Sequence, residues 1–282
     1  MNKQIQTLRQ KQVIASFPKR PRDSHKGMFG TVAIIGGDAG MIGAPLLAAR
    51  AALKLGAGSV HAGLLAKNAP GVELQQPELM LHSASAVLQL SGVDVFAIGC
   101  GLGTSIPAQK LLYEVLMLNT ALVIDADALN LMSRQTDLQE DLRARKAATV
   151  ITPHPGEAAR LLDCDIKEIQ AYRVAAVREL AQKFGCGVVL KGAGSLCATH
   201  AGKIYLNNTG NPGMSSAGMG DVLTGMIAAF IAQGMGADEA MLLAVHLHGA
   251  AGDALVKQGI SIGMTASDVT EWARWLLNHW TT

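Results

Sequence analysis

A chain of 282 residues has room for one large α/β domain or two small ones. Hydrophobic residues make up 49% of it, enough for a sizeable core, while a net charge of +2 with no long basic run and 4% aromatics argue against a nucleic-acid partner. The cysteines Cys100, Cys164, Cys186 and Cys197 form no C-x-x-C pair, which argues against a zinc or disulfide framework and for reduced thiols in the cytoplasm.

Residues 1–26 are polar and basic, with Pro18 and Pro21, and read as an N-terminal arm: a short helix, then an extended lead-in. They lack the apolar stretch of a signal peptide. Residues 27–282 read as a single domain. The TVAII run at 31–35 is short, continuous and β-branched, as buried strands are. Gly36, Gly37 and Gly40 follow, and a helix is predicted over 44–55. Strand, glycine turn and helix open dinucleotide-binding units too. Here, however, the spacing is G-G-x-x-G-x-x-G, and no acidic residue ends a second strand where that fold needs one. A backbone-lined loop beside some ligand is the looser expectation.

Further strands are predicted over 59–65, just after Pro77–Met80, and over 93–98. The last ends in GCGLGT, whose three alternate glycines either let a ligand approach the backbone or simply make a flexible turn. A helix over 106–118 precedes LVIDADALN, which puts Asp125 at the carboxyl end of a strand, where open α/β sheets bind ligands. Asp127 reads as a helix cap, and Asn130 shares its face.

A strand over 149–152 runs into Pro153-His154-Pro155-Gly156-Glu157. The prolines hold His154 rigidly, and Glu157 falls in a first helical turn, where serving the helix dipole is the simpler role. One helix is predicted over 166–184. A strand over 187–190 then ends in Lys191-Gly192-Ala193-Gly194-Ser195, and the lysine either meets a phosphate or reaches out to water. Segments 196–199 and 203–207 pair as a hairpin.

The decisive stretch is TGNPGMSSAGMGDVLTG from Thr209. A glycine loop feeding a helix leaves backbone N–H groups unpaired at the positive end of the dipole, a site for a phosphate or a transferring phosphoryl group. Asp221 stands where a base would take a proton from an attacking hydroxyl, unless Gly218 and Gly220 only make a turn and Asp221 a cap. Helices over 222–233, 238–257 and 265–280 complete the chain. Their longest apolar run, 226–232, is far too short to span a bilayer. His246 and His248 are two apart on a helix, share no face and are not a metal pair. Strands and helices alternate, predicting an α/β fold with a mainly parallel sheet and helices on both faces.

Together these motifs resemble the ribokinase-like superfamily, a three-layer sandwich with an anion-hole G-x-G-D and an upstream T-P-N-x-x-E. This chain has TPHPGE for the second. With LKGAGS, DADALN, HKGMFGTVAIIGG and LHGAAGDAL, it resembles one branch, the ADP/ATP-dependent NAD(P)H-hydrate dehydratases. The resemblance implies Asp221 as base and Gly218, Met219 and Gly220 as anion hole, with Met219 standing where relatives often have Thr. It implies Lys191, Gly192, Ala193, Gly194 and Ser195, together with Gly220, around the nucleotide. Ala44, Gly103 and His154, with Asp221, Asp125 and Asn130, would meet the hydrated nicotinamide nucleotide, and Glu157 would hold Mg²⁺ through water.

The implied reaction repairs the S epimer of hydrated NADH or NADPH by phosphorylating its ring hydroxyl and eliminating phosphate. ADP is favoured over ATP, a homotetramer is expected, and the N-terminal epimerase domain of some relatives is not. Three rival readings stand: a vitamin-type kinase of a hydroxymethylpyrimidine or thiazole alcohol, a non-catalytic nucleotide sensor, and, more weakly, a dehydrogenase.

Overall fold

A computed structural model describes residues 5–281; the first four residues of the predicted arm lie outside the described residues. The strands are β1 (Gln6–Thr7), β2 (Thr31–Gly36), β3 (Ser59–Leu64), β4 (Met80–Ser83), β5 (Val95–Ile98), β6 (Ala121–Ile124), β7 (Thr149–Ile151), β8 (Gly187–Leu190), β9 (Leu196–Ala198) and β10 (Ile204–Leu206). The helices are α1 (Gln10–Val13), α2 (Gly43–Lys54), α3 (Ala84–Val87), α4 (Ile106–Leu116), α5 (Ala126–Ser133), α6 (Thr136–Ala144), α7 (Pro155–Leu162), α8 (Ile166–Ala171), α9 (Arg173–Phe184), α10 (Met219–Ala232), α11 (Ala237–Lys257) and α12 (Ala266–Thr281).

All ten strands form one sheet in the order β1-β10-β9-β8-β7-β6-β5-β2-β3-β4. The seven from β8 to β4 are parallel; β9 turns back against β8, and β10 against β9. After β4 the chain returns to the other side of β2, so β2 and β5 flank a switch point, where crevices open in sheets of this kind. In the arm, Gln6–Thr7 pairs in parallel with β10, and Leu8 and Val13 are buried.

Alternation along each buried strand feeds two cores. Val32 and Ile34 of β2 face the layer of α2, α10, α11 and α12, while Ala33 and Ile35 face the layer of α3 to α9. Helix α10 is apolar almost all round, as suits a helix enclosed by its own domain, and it crosses α2 closely. A Cβ on Gly225 would lie 2.0 Å from the Ala48 carbonyl oxygen, so only glycine permits that crossing.

Two predicted elements need correction. The helix expected over 166–184 breaks at Tyr172, which leaves helical geometry at φ −126° and ψ 43°. The break lets the first residue of α9, Arg173, donate from Nη2 to the Leu190, Lys191 and Gly194 carbonyls at 3.2, 3.4 and 3.2 Å. The helix expected over 222–233 begins at Met219 and not at Val222: Gly218, at φ 87°, takes the left-handed turn that starts α10.

Candidate active site

The loops after β5, β6, β7 and β8 lie side by side at one end of the sheet, because those strands are neighbours. The start of α10 reaches the same place. A Cβ added to Gly220 would lie 3.3 Å from Lys191 Nζ and 3.4 Å from Asp125 Oδ2. Elements separated by nearly a hundred residues thus place an ammonium and a carboxylate against one helix terminus.

Asp125 is almost wholly buried and fully engaged. Its Oδ1 accepts from Lys191 Nζ at 2.6 Å and from the Ala126 amide at 2.8 Å; its Oδ2 accepts from Thr224 Oγ1 at 2.9 Å. Ala126 follows with φ 49°, an uncommon value for a residue with a Cβ, held by those contacts. Lys191 Nζ also lies 3.9 Å from Glu157 Oε2. Burial disfavours the ammonium, but Asp125 and Glu157 outweigh it and hold its pKa above the ordinary lysine value. Lys191 therefore stays charged inside the site and does not reach out to water.

His154 caps α7. Its Nδ1 accepts from the Gly156 and Glu157 amides at 2.9 and 3.2 Å, and Glu157 Oε2 accepts from the His154 amide at 2.7 Å, a capping box with histidine in the cap. Since Nδ1 accepts, the network assigns the ring proton to Nε2, 3.2 Å from Glu157 Oε1. Burial, then Lys191 and Arg160, keep the pKa of His154 below the ordinary value. The ring is half exposed, yet both nitrogens are occupied, leaving its face and carbon edge for a ligand. Glu157 itself is buried, and that burial, opposed by Lys191 and aided by Asp125, pushes its pKa up to about 7.

Asp221 occupies the third position of α10, and no side chain caps that helix. It is therefore not the cap of the simpler reading. Burial is the main cause that raises its pKa to about 6; Asp125 and Asp127 add to the rise, and the Cys100 thiol and Lys191 oppose it. A carboxylate near that value is ionised at neutral pH and still basic enough to accept a proton. The N–H groups of the uncapped first turn point away from the helix beside it.

Between β5 and β2 the glycines serve the protein's own backbone. The Gly37 and Asp38 amides donate to the Cys100 and Gly101 carbonyls at 3.1 and 2.7 Å. A Cβ on Gly99 would sit 1.8 Å from the Asp125 carbonyl oxygen. The Gly103 amide donates to Asp127 Oδ2 at 2.9 Å, so Asp127 ties two loops together and is not the cap of α5, a place taken by Asp125. Asn130 Nδ2 lies 3.4 Å from Asp127 Oδ1, and its Oδ1 accepts from Arg160 Nε at 3.0 Å. Ala44 stands across the glycine loop, 3.2 Å from where a Gly101 Cβ would be.

A cavity of about 470 Å³ opens on the other side of Lys191, in the range of small-molecule sites. Loop 191–195 forms one wall, loop 207–212 another, and Met219, Gly220 and Leu223 of α10 with Val245, His248 and Gly249 of α11 close it. The Ser195 hydroxyl donates to the Gly192 carbonyl at 3.0 Å and fixes the loop. The sequence-predicted nucleotide residues thus share one cavity. Asp125, His154, Glu157 and Asp221 gather around Lys191; Gly103 and Ala44 lie toward β2, and Asn130 sits between Asp127 and Arg160. Sequence reasoning missed Thr224, Arg173, Arg160 and His248. Thr224 carried a signal, being three residues after Asp221 on a helix; the others did not.

A family model described as NAD(P)H-hydrate dehydratase matches residues 32–274. The chain belongs to that family. It is 44% identical over 267 residues to an ADP-dependent (S)-NAD(P)H-hydrate dehydratase of Neisseria meningitidis serogroup B, across 93% of this chain and 90% of the relative. Its fold matches an ADP/ATP-dependent NAD(P)H-hydrate dehydratase of Bacillus subtilis, co-crystallised with ATP and Mg²⁺, at a TM-score of 0.87 and 27% identity over 99% of each chain. A ribokinase-like superfamily protein of Enterococcus faecalis matches at 0.86 and 29% identity, over 98% of this chain and 96% of the other. The predicted ribokinase-like sandwich is the fold of this dehydratase family member.

Proposed function

We propose that this chain restores NADH and NADPH from their hydrates, S epimer, using ADP, or alternatively ATP, as phosphoryl donor. One observation carries the reading: an uncapped helix start with Asp221 in its first turn, packed against the Lys191–Asp125 pair. The hydrate bears a hydroxyl next to the ring nitrogen, and hydroxide leaves poorly. Asp221 takes the hydroxyl proton as the oxygen attacks the terminal phosphorus, and the bond to the donor's bridging oxygen breaks. The amides of Gly218, Met219 and Gly220 and the ammonium of Lys191 stabilise the charge that develops on the phosphoryl oxygens. The ring nitrogen then expels phosphate, and a proton leaves the adjacent ring carbon to complete the dihydronicotinamide. The nucleotide lies in the 191–195 cavity, and Ala44, Gly103, Asn130 and His154 border the hydrate.

The carboxylates suit outer-sphere contact with Mg²⁺. Asp125 already serves three donors and Glu157 is held by His154, so Glu157 would hold a hydrated ion through water. When bound, the ion offsets phosphate charge. A cytoplasmic homotetramer belongs to the same reading; among the described residues the four cysteines are free, and no helix is long and apolar enough to cross a membrane.

The test is incubation with hydrated NADH, Mg²⁺ and ADP or ATP. Return of the reduced-nicotinamide absorbance with one phosphate released per turnover is expected. A stable phosphorylated product would move the chain to the vitamin-kinase reading, and binding without turnover to a sensor.

A further inference from the structure

Among the described residues, three enclosed polar side-chain atoms lack a hydrogen-bond partner: Arg50 Nε, Glu73 Oε2 and His248 Nε2. The first two belong to the partners of one ion pair. His248 stands apart from them, on the cavity wall with Lys191, Met219 and Gly220. Enclosed polar atoms are nearly always satisfied, so an orphan in a ligand cavity points to a group that the ligand brings.

The turn of α11 that carries His248 is fastened to the opposite wall. Thr209 Oγ1 donates to the His246 carbonyl at 2.9 Å, and Asn207 Nδ2 to the Val245 carbonyl at 3.4 Å. A Cβ on Gly249 would lie 2.3 Å from Thr209 Oγ1, so helix and loop are in direct contact there. The neighbouring His246 differs: its Nδ1 lies 3.3 Å from Asn207 Oδ1 and its ring packs against Trp280, an ordinary structural histidine.

Ionised phosphate oxygens only accept hydrogen bonds, so each such bond needs a donor from the protein. At this end of the cavity the Ser195 hydroxyl already serves the Gly192 carbonyl. Lys191, the first-turn amides of α10 and the His248 ring are among the donors that line it. We propose that His248 is a nucleotide-contact residue, whose imidazole donates to a phosphate oxygen of the bound nucleoside di- or triphosphate beside Lys191. This rests on the assignment of the cavity to the nucleotide. Burial, and then Lys191, hold the ring neutral with a pKa down to about 4, while the Met219 carbonyl favours its protonated form. An arriving phosphate adds negative charge and favours that form further.

The experiment measures binding of ADP and of adenosine by calorimetry, in the presence of Mg²⁺, to wild type, His248→Ala, His248→Gln and Ala193→Trp, together with steady-state kinetics. His248→Ala is expected to weaken ADP about 10- to 100-fold, the worth of a hydrogen bond to a charged group. Adenosine affinity and the KM for the hydrate stay within twofold. His248→Gln, which keeps an N–H near Nε2, recovers most of the ADP affinity. The proposal is overturned if His248→Ala binds ADP as wild type does, or loses ADP and adenosine equally. Ala193→Trp obstructs the cavity and should abolish ADP binding. Unchanged binding in that variant would overturn the cavity assignment itself, a failure distinct from that of His248.

Discussion

The two sides of Lys191 are built on opposite terms. Toward β6 and β7 every donor meets an acceptor: Asp125 has three partners, and His154 and Glu157 cap one another. Toward α11 the cavity is bounded by an uncapped helix start and an imidazole nitrogen with no partner. A saturated cluster is rigid and costly to disturb, whereas donors without partners on a cavity wall are open to a ligand. Stability and turnover should therefore respond to different residues.

The largest effect should come from Asp221→Asn, which removes the base and leaves the amide shell. Turnover is expected to fall about 10²- to 10⁴-fold with nucleotide affinity kept, as seen by comparing kcat with calorimetric binding. In the wild type, kcat/KM should fall about tenfold per pH unit below about pH 6, because Asp221 must be ionised and its pKa is pushed up to about 6. A flat acid limb would remove it from the chemistry.

On the saturated side, Lys191→Met leaves Asp125 and Glu157 without their cation, and a loss of about 3–5 kcal/mol is expected in denaturant unfolding. Full stability in that variant would mean that the carboxylates do not depend on the lysine. Thr224→Val keeps the shape and strips one donor from buried Asp125, for a loss of about 1–3 kcal/mol. His154→Ala should cost about 1 kcal/mol as a lost helix cap, with little change in ADP affinity. If instead it abolishes hydrate turnover without a change in melting, the exposed ring face does more than hold α7.

Much of this was legible from the chain. The β-branched runs that became β2, β5, β6 and β8 read as buried strands because they are buried on both faces, and the glycine–aspartate start of α10 was plain from residue type alone. What stayed hidden depends on partners far away. The break at Tyr172 is set by carbonyls 17 to 21 residues on, which capture Arg173. Asp127 was read as a cap because a cap is the local use of such a residue, whereas its partner, Gly103, is 24 residues upstream. The glycines of the 99–103 loop left a ligand and a simple turn both open, and only the distant Asp125 carbonyl shows what Gly99 answers to. His248 was weighed only as half of a metal pair, and its real neighbours, Lys191 and Met219, come from other elements.

One helix joins these two regimes. The first turn of α10 faces the cavity beside Lys191, and its remaining turns are buried in the core. The terminus is the first turn of a helix that the core holds along most of its length. Inactivation on heating should coincide with the cooperative melt, with no dormant folded form on the way.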